Sequence, residues 1–439
     1  MGMQSEVRPL RDLCSLIADC PHSTPVWTDS GYLVIRNQNI KGGRLDLSSP
    51  SFTDAEHFAH RIRRAKPREG DIVFTREAPM GEVCMIPKGL ECCVGQRQVL
   101  LRPDPDVVDG RYLLYALQSP QVQHEIGWNE GTGSTVSNVR IPVLESLKIP
   151  TPSIAVQRDI GSVLSALDDR IDLLRQTNAT LESIAQTLFK SWFIDFDPVR
   201  AKAEGREPDG MDAETAALFP DSFEDSALGE IPKGWAVSTV GRVAQCVGGG
   251  TPSTKEQKFW EPAIHHWTTP KDLSGIAAPV LLDTERRLSD AGLAKVSSGL
   301  LPVGTLLMSS RAPIGYLAIS QIPLAVNQGY IAMLPGGQLA PEYLYFWCQS
   351  NMDAIKQKAN GSTFMEISKT AFRPIPIVLP SSEVAACFAD LAAKIFERIS
   401  EGERQRIHLE EIRNTLLPRL ISGKLRLPEA EAQLNEALA

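Results

Sequence analysis

Amide and guanidinium side chains fall at matching places in two stretches of this chain. Val94-Gly95-Gln96-Arg97-Gln98 has a counterpart in Val326-Asn327-Gln328, 232 residues further on. Gln and Asn set a donor beside an acceptor, and Arg presents a planar fork of donors, so these groups match purine edges. Ser134 and Thr135, with Ser362 and Thr363, form a second matched set; Arg311 directly precedes Ala312-Pro313, while Arg76 lies one residue further from Ala78-Pro79, with Glu77 at the position of Arg311. Hydroxyl and guanidinium groups of this kind bond phosphates or bases. The candidate contacts are therefore Arg76, Gln96, Arg97, Gln98, Ser134, Thr135, Arg311, Asn327, Gln328, Ser362 and Thr363.

Bond-making chemistry is not evident. The chain has no G-x-x-x-x-G-K-[ST] phosphate loop, no G-x-S-x-G elbow and no Asn/Asp-Pro-Pro-aromatic motif of an amino-methyltransferase. Pro103-Asp104 and Glu256-Gln257-Lys258 hold the pieces of a metal-dependent nuclease, but some 150 residues separate them. The eight cysteines include no C-x-x-C pair, and His265-His266 has no ligand framework around it, so no metal site is expected. Reduced, buried thiols and a cytoplasmic protein are expected instead. No apolar run reaches about 18 residues, so no membrane contact is expected, and the N-terminus lacks a signal-peptide pattern.

The elements that must position these groups come in two copies. Ala78-Pro79-Met80-Gly81, Val94-Gly95-Gln96, Gly133-Ser134-Thr135 and Ile149-Pro150 recur, in order, as Ala312-Pro313-Ile314-Gly315, Val326-Asn327-Gln328, Gly361-Ser362-Thr363 and Ile377-Val378. Short apolar runs bounded by Gly and Pro predict strands at Tyr32–Ile35, Asp71–Phe74 and Gln98–Leu101, then at Leu306–Met308 and Tyr330–Leu334. Helical stretches are predicted over Gly110–Ile126 and Pro341–Ala359. The net charge of −8 does not sit on these domains. Residues 1–150 carry 17 basic and 18 acidic side chains and residues 230–380 carry 13 and 10, whereas residues 151–229 carry 7 and 15. A basic cluster, Arg61, Arg63, Arg64, Lys66 and Arg68, lies within the first copy.

Each copy runs into a heptad seam. Ile160, Leu164, Leu167, Ile171, Leu174, Asn178, Leu181, Ala185 and Leu188 alternate by four and three. Adding 228 gives Phe388, Ala392, Ile395, Ile399, Gly402, Arg406, Leu409, Arg413 and Leu416, where Gly402, Arg406 and Arg413 interrupt the seam. Helices of about 35 residues would reach ~50 Å. The expected class is α+β: two similar mixed α/β domains separated by long helices that pair as an antiparallel coiled coil. Arm packing is assigned to Leu167, Ile171, Leu174, Asn178, Leu181, Trp192, Phe193, Ile395, Ile399, Arg406, Leu409 and Leu416. The expected segments are domain 1 at 1–152, arm 1 at 153–197, an acidic connector at 198–230 that is extended or irregular from Ala201, domain 2 at 231–380, arm 2 at 381–425 and a C-terminal tail at 426–439 that is frayed after Pro428.

Leu188-Phe189-Lys190-Ser191-Trp192-Phe193-Ile194-Asp195-Phe196-Asp197-Pro198-Val199 closes the first arm. With Met211, Leu218-Phe219-Pro220, Leu228-Gly229-Glu230-Ile231-Pro232-Lys233-Gly234-Trp235 and Asn414-Thr415-Leu416-Leu417-Pro418-Arg419-Leu420-Ile421-Ser422-Gly423-Lys424-Leu425, it resembles the specificity subunit of type I restriction–modification enzymes. The resemblance covers nearly the whole chain. It implies two target-recognition domains, each reading half of a split, asymmetric double-stranded DNA site. It also implies helical regions that set the spacing and dock two modification (methyltransferase) subunits carrying S-adenosylmethionine. Restriction/translocase subunits with ATP and Mg²⁺ would join them in phage defence. This chain would hold no cofactor and would not be an enzyme. One departure is the opening of domain 1, Val7-Arg8-Pro9-Leu10-Arg11-Asp12-Leu13, which lacks the Ile231-Pro232-Lys233-Gly234-Trp235 pattern of domain 2. The residues alone leave two other readings open: a coiled-coil adaptor without DNA contact and a self-contained nuclease.

Overall fold

The apolar runs become paired strands. The computed structural model describes residues 6–77, 79–128, 138–361 and 365–438. The chain divides into two units, Met1–Ile171 with His408–Ala439, and Asp172–Ile407. In the first, Cys14–Asp19, Gln98–Pro103, Ile72–Thr75 and Val83–Met85 form an antiparallel sheet in that order. In the second, Cys246–Val247, Tyr330–Met333, Leu306–Ser309 and Leu317–Ser320 repeat it, and Val280–Leu281 adds a parallel edge strand. Ile72–Thr75 and Leu306–Ser309 are buried throughout, as continuous apolar strands covered on both faces should be.

A smaller sheet accompanies each large one. Tyr32–Ile35 pairs antiparallel with Phe52–Thr53 and parallel with Cys92–Val94. His265–Thr268 pairs antiparallel with Arg286–Leu288 and parallel with Ala325–Val326. Glu6–Pro9 joins Lys148–Thr151 just as Ala236–Thr239 joins Pro376–Leu379. The divergent opening of the first domain therefore still supplies the equivalent strand.

Each predicted helical stretch is two helices. Gly110–Gln118, capped by the Asp109 side chain, stops at Ser119, which is extended. Pro120 accounts for this, because the residue before a proline is driven out of the helical region; Pro120–Trp128 then begins anew. The second domain has Pro341–Ser350 and Met352–Gln357. Both domains anchor the first of these helices with a tyrosine hydroxyl. Tyr112 donates to the Pro150 carbonyl at 2.8 Å and Tyr343 to that of Val378 at 3.2 Å.

The two arms are 40-residue helices, Ile154–Phe193 and Ser382–Ile421. Within the second unit, Asn178 lies against Gly402 and Phe189 against Phe388, so the helices run antiparallel. Gly402 does not weaken the seam. A Cβ there would sit 2.5 Å from Asn178 Oδ1, so the missing side chain is what admits the asparagine. The Asn178 amide is buried with neither polar atom paired among the described residues. Arg406 is accommodated by Glu403 one turn earlier, at 2.6 Å. The end of the first arm is core: Phe189, Trp192 and Phe193 are at most 4% exposed and pack on Tyr343, Phe219 and Phe388.

Two expectations are corrected. The connector is not irregular: it forms helices Asp197–Ala203 and Ala213–Ala217, then a hairpin of Phe223–Ser226 with Gly229–Pro232. Its few apolar residues explain this, since Phe219 is buried and Met211, Leu218 and Phe223 pack on the same core. The tail is not frayed: Leu427–Leu438 is helical, with Ala430 buried.

Within the first unit, Asp168 joins the recognition domain to both helices. Its carboxylate accepts from Arg44 at 2.8 Å, Tyr115 at 2.7 Å and Arg413 at 2.7 Å. Burial pushes this carboxyl up, but the hydrogen bonds from Tyr115, Arg413 and Arg44 outweigh it and hold it below the usual range. A depressed carboxylate stabilises the fold above its unfolded pKa, and that contribution is lost as pH falls through the folded value. Asp168→Asn should therefore cost about 3 kcal/mol at neutral pH by leaving two arginines without their counter-charge. The gap between variant and wild type, followed by urea unfolding, should narrow as the pH drops below about 4; a gap independent of pH would count against this role.

Candidate nucleic-acid interface

The small parallel pairs end at the same kind of loop in both domains. After Cys92–Val94 the chain turns outward at Gly95, whose N–H donates to the Ile35 carbonyl at 2.8 Å. A Cβ at Gly95 would lie 2.9 Å from that oxygen, so the close approach needs glycine. After Ala325–Val326, Asn327 N–H makes the equivalent bond to the Thr268 carbonyl at 3.1 Å. Asn327 Oδ1 then accepts from the Gly329 N–H at 2.8 Å.

Each loop carries one glutamine held by one threonine. Thr24 Oγ1 donates to Gln96 Oε1 at 2.7 Å, and Thr251 Oγ1 donates to Gln328 Oε1 at 2.6 Å. With its oxygen engaged, each amide keeps its NH₂ donors for another partner. The threonines were not among the expected contacts. Their signal was present, since Thr24-Pro25 and Thr251-Pro252 repeat and both prolines are buried. Arg61 supports the first of these segments from below, donating to the carbonyls of Pro21 at 3.2 Å and Ser23 at 2.7 Å. Of the basic cluster only Arg61 is buried; Arg63, Arg64, Lys66 and Arg68 are exposed, with Arg64 bonded to the Asp19 carbonyl and Lys66 paired with Glu91.

The other expected contacts divide by environment. Gln98 is fully buried; it accepts from Gly95 N–H at 2.7 Å and donates to Asn37 Oδ1 at 3.3 Å. Arg76 turns inward to Asp19 at 2.8 Å and the Val139 carbonyl at 3.0 Å. Arg97 is half exposed beside Glu77 at 3.2 Å, and Arg311 faces Glu366 at 3.6 Å. Ser134, Thr135, Ser362 and Thr363 lie outside the described residues, as do Ala78 and Gly133. In the first domain Thr24, Trp27, Arg36, Gln38, Gln96 and Arg97 line an open cavity of about 380 Å³. Donors and acceptors converge there with one aromatic face.

His265 pairs with Asp290 at 2.7 Å and His266 with Asp283 at 3.2 Å. Among the described residues no group of three or more His, Cys, Asp or Glu is placed to hold a metal ion. Burial pushes the Cys92 thiol up to about 12 and that of Cys93 up to about 11, so neither is a nucleophile near neutral pH. No described helix is long and apolar enough to cross a membrane.

A family model for the type I restriction modification DNA specificity domain matches residues 4–183 and 232–417. The chain is 27% identical over 403 residues to the specificity subunit of the type I restriction enzyme HindI from Haemophilus influenzae, covering 82% of this chain and 87% of that protein. It is 34% identical over 192 residues to the MjaIX specificity subunit of Methanocaldococcus jannaschii, covering 43% and 44%. The fold is similar to that of the solved S subunit of a type I restriction–modification system from M. genitalium. The TM-score is 0.58 at 18% identity, over 95% of this chain and 96% of that one.

The burial contrast between the two glutamines is measurable. Gln98→Leu removes one of the two acceptors of the Gly95 N–H and leaves Asn37 Oδ1 without its donor, and should lower unfolding stability by about 1–3 kcal/mol. Gln96→Leu, on the open side of the same loop, should stay within about 0.5 kcal/mol of wild type. Urea unfolding of the full chain distinguishes them; equal losses would refute the assignment of Gln98 to the loop scaffold.

Proposed function

The chain belongs to the type I restriction–modification DNA specificity family, and on that premise we propose that it reads a bipartite, asymmetric DNA site, one half per domain. It is a non-catalytic specificity subunit. The observation that carries the reading is the threonine–glutamine pair repeated on the same strand end in both domains, with unlike neighbours around it. Gln96 is followed by the exposed Arg97, Gln328 by the buried Gly329. A shared scaffold with different edges suits two different half-sites, because direct readout depends on which donors and acceptors reach the bases.

In this reading the paired helices hold the two domains at a fixed spacing and dock two modification subunits, which bring S-adenosylmethionine and the methyl-transfer centre. Restriction/translocase subunits supply the ATP- and Mg²⁺-dependent steps, and the complex works in the cytoplasm. The chain's own side chains position DNA and make or break no bond. Its net charge of −8 is compatible with this, since residues 230–380 are net basic and the acidity lies in residues 151–229.

A domain exchange tests the proposal. Replacing residues 1–152 by the matching domain of another specificity subunit, with the modification subunits co-expressed, should change one half of the methylated motif and leave the other. The chain alone should neither methylate nor cleave. An unchanged motif from a folded chimera, or cleavage by the isolated chain with Mg²⁺, would show the assignment to be wrong.

A further inference from the structure

The arginines expected to meet DNA are each faced by a carboxylate: Arg76 by Asp19, Arg97 by Glu77 and Arg311 by Glu366. Two others lie close to the threonine–glutamine pairs and have no carboxylate partner among the described residues. They are Arg36 and Arg286, both exposed, and each rests on a tryptophan. The Arg36 guanidinium carbon stands 4.8 Å from the centre of the Trp27 ring, and Trp27 is itself 43% exposed. That of Arg286 stands 3.5 Å from the Trp260 ring and 5.6 Å from Trp267.

The two stacks are built from unmatched sequence and come from different positions of the equivalent small sheets. Arg36 follows the strand Tyr32–Ile35 and reaches Ser51 Oγ at 3.4 Å. Ser51 is opposite Val34, whose N–H it accepts at 2.8 Å. Arg286 stands in the second domain where Ser51 stands in the first, opposite Trp267 on the strand His265–Thr268, so its guanidinium starts from the position that the Arg36 side chain reaches. Each stack is also tied to its threonine segment. Trp27 lies three residues after Thr24, and Arg36, Trp27 and Gln96 line one cavity. Trp260 Nε1 donates to the carbonyl of Ser253, two residues after Thr251, at 3.1 Å.

We propose that Arg36 and Arg286 are specificity-determining side chains, each reading the major-groove edge of a guanine, with Trp27 and Trp260 as the platforms that aim them. This rests on the reading of the chain as a DNA specificity subunit. A guanidinium laid on an indole face keeps its N–H donors in its own plane, directed outward. Guanine O6 and N7 accept such a fork, and no other base offers two acceptors side by side there. The aromatic face also restricts the side chain before binding, so less freedom is lost when the fork engages. An isolated exposed tryptophan needs no explanation, but one stacked with an unneutralised arginine beside the same clamp in both domains points to a ligand.

The test uses the full chain with its modification subunits in a host lacking this methylation, with the methylated motif read by sequencing. Arg36→Lys keeps the charge and loses the planar fork. It should relax one G·C position in one half-site by roughly tenfold to a hundredfold and leave the other half intact. Arg286→Lys should do the same in the opposite half, and Trp27→Ala should relax the Arg36 position partially. All three residues are at least partly exposed, so thermal unfolding should stay near wild type. A wild-type motif for both lysine variants, or equal weakening at every position as for a phosphate contact, would overturn the assignment. So would a half-site containing no G·C pair. If wild-type chain directs no bipartite methylation at all, the underlying specificity reading fails instead.

Discussion

Two 40-residue helices with apolar seams have to bury those seams, because helices in water owe most of their stability to packing rather than to propensity. Much else in each unit follows from how that is done. In the second unit the Phe189, Trp192 and Phe193 rings close over Tyr343 and Phe388, so the end of one helix forms part of the core beneath the recognition domain. The seam runs on to Asn178, which fits only because residue 402 has no side chain. In the first unit the domain is fixed to helix residues by charge, through Asp168 with Arg44 and Arg413. The corresponding link in the second unit is the Tyr345 hydroxyl on Glu182, at 2.7 Å. Both links set a tyrosine hydroxyl on a helix carboxylate; the first adds two arginines and the second adds the aromatic cluster.

The doubled domain, its strands and the helical arms were legible in the sequence because they depend on local periodicity and on repeated short segments. Tyr32–Ile35, Ile72–Thr75 and Leu306–Ser309 are apolar runs that no solvent-facing element would carry. The order of the connector is not legible in its own residues because it comes from elsewhere. Phe219 and Leu218 look like scattered apolar residues in an acidic stretch until Trp192 and its neighbours provide the core they join. The apparent flaws of the second seam were equally illegible. Gly402 and Arg413 have their reasons on the opposite helix, more than 200 residues away.

The candidate interface divides in the same way. Gln96 and Gln328 were visible as a repeat, and the structure brings each to a threonine more than 70 residues distant. Sequence gives residue types but not counter-charges. Nothing local tells that Arg76 is paired with Asp19, that Arg311 faces Glu366, or that Arg36 has no carboxylate partner among the described residues. Electrostatic availability is a tertiary property, and it reorders the arginines. The Arg·Trp stacks carry no repeat signal, since Trp27 and Trp260 come from unmatched segments that converge only in the fold.

Two diverged domains on one chain, rather than one domain used twice, is the feature from which the functional reading grows. Sequencing the methylated bases of the host genome, with and without this chain, tests it most directly. A methylated motif made of two unlike specified segments, separated by a fixed unspecified run and lost when the chain is removed, is the expected result. A continuous or palindromic motif, or one that persists without the chain, would contradict it.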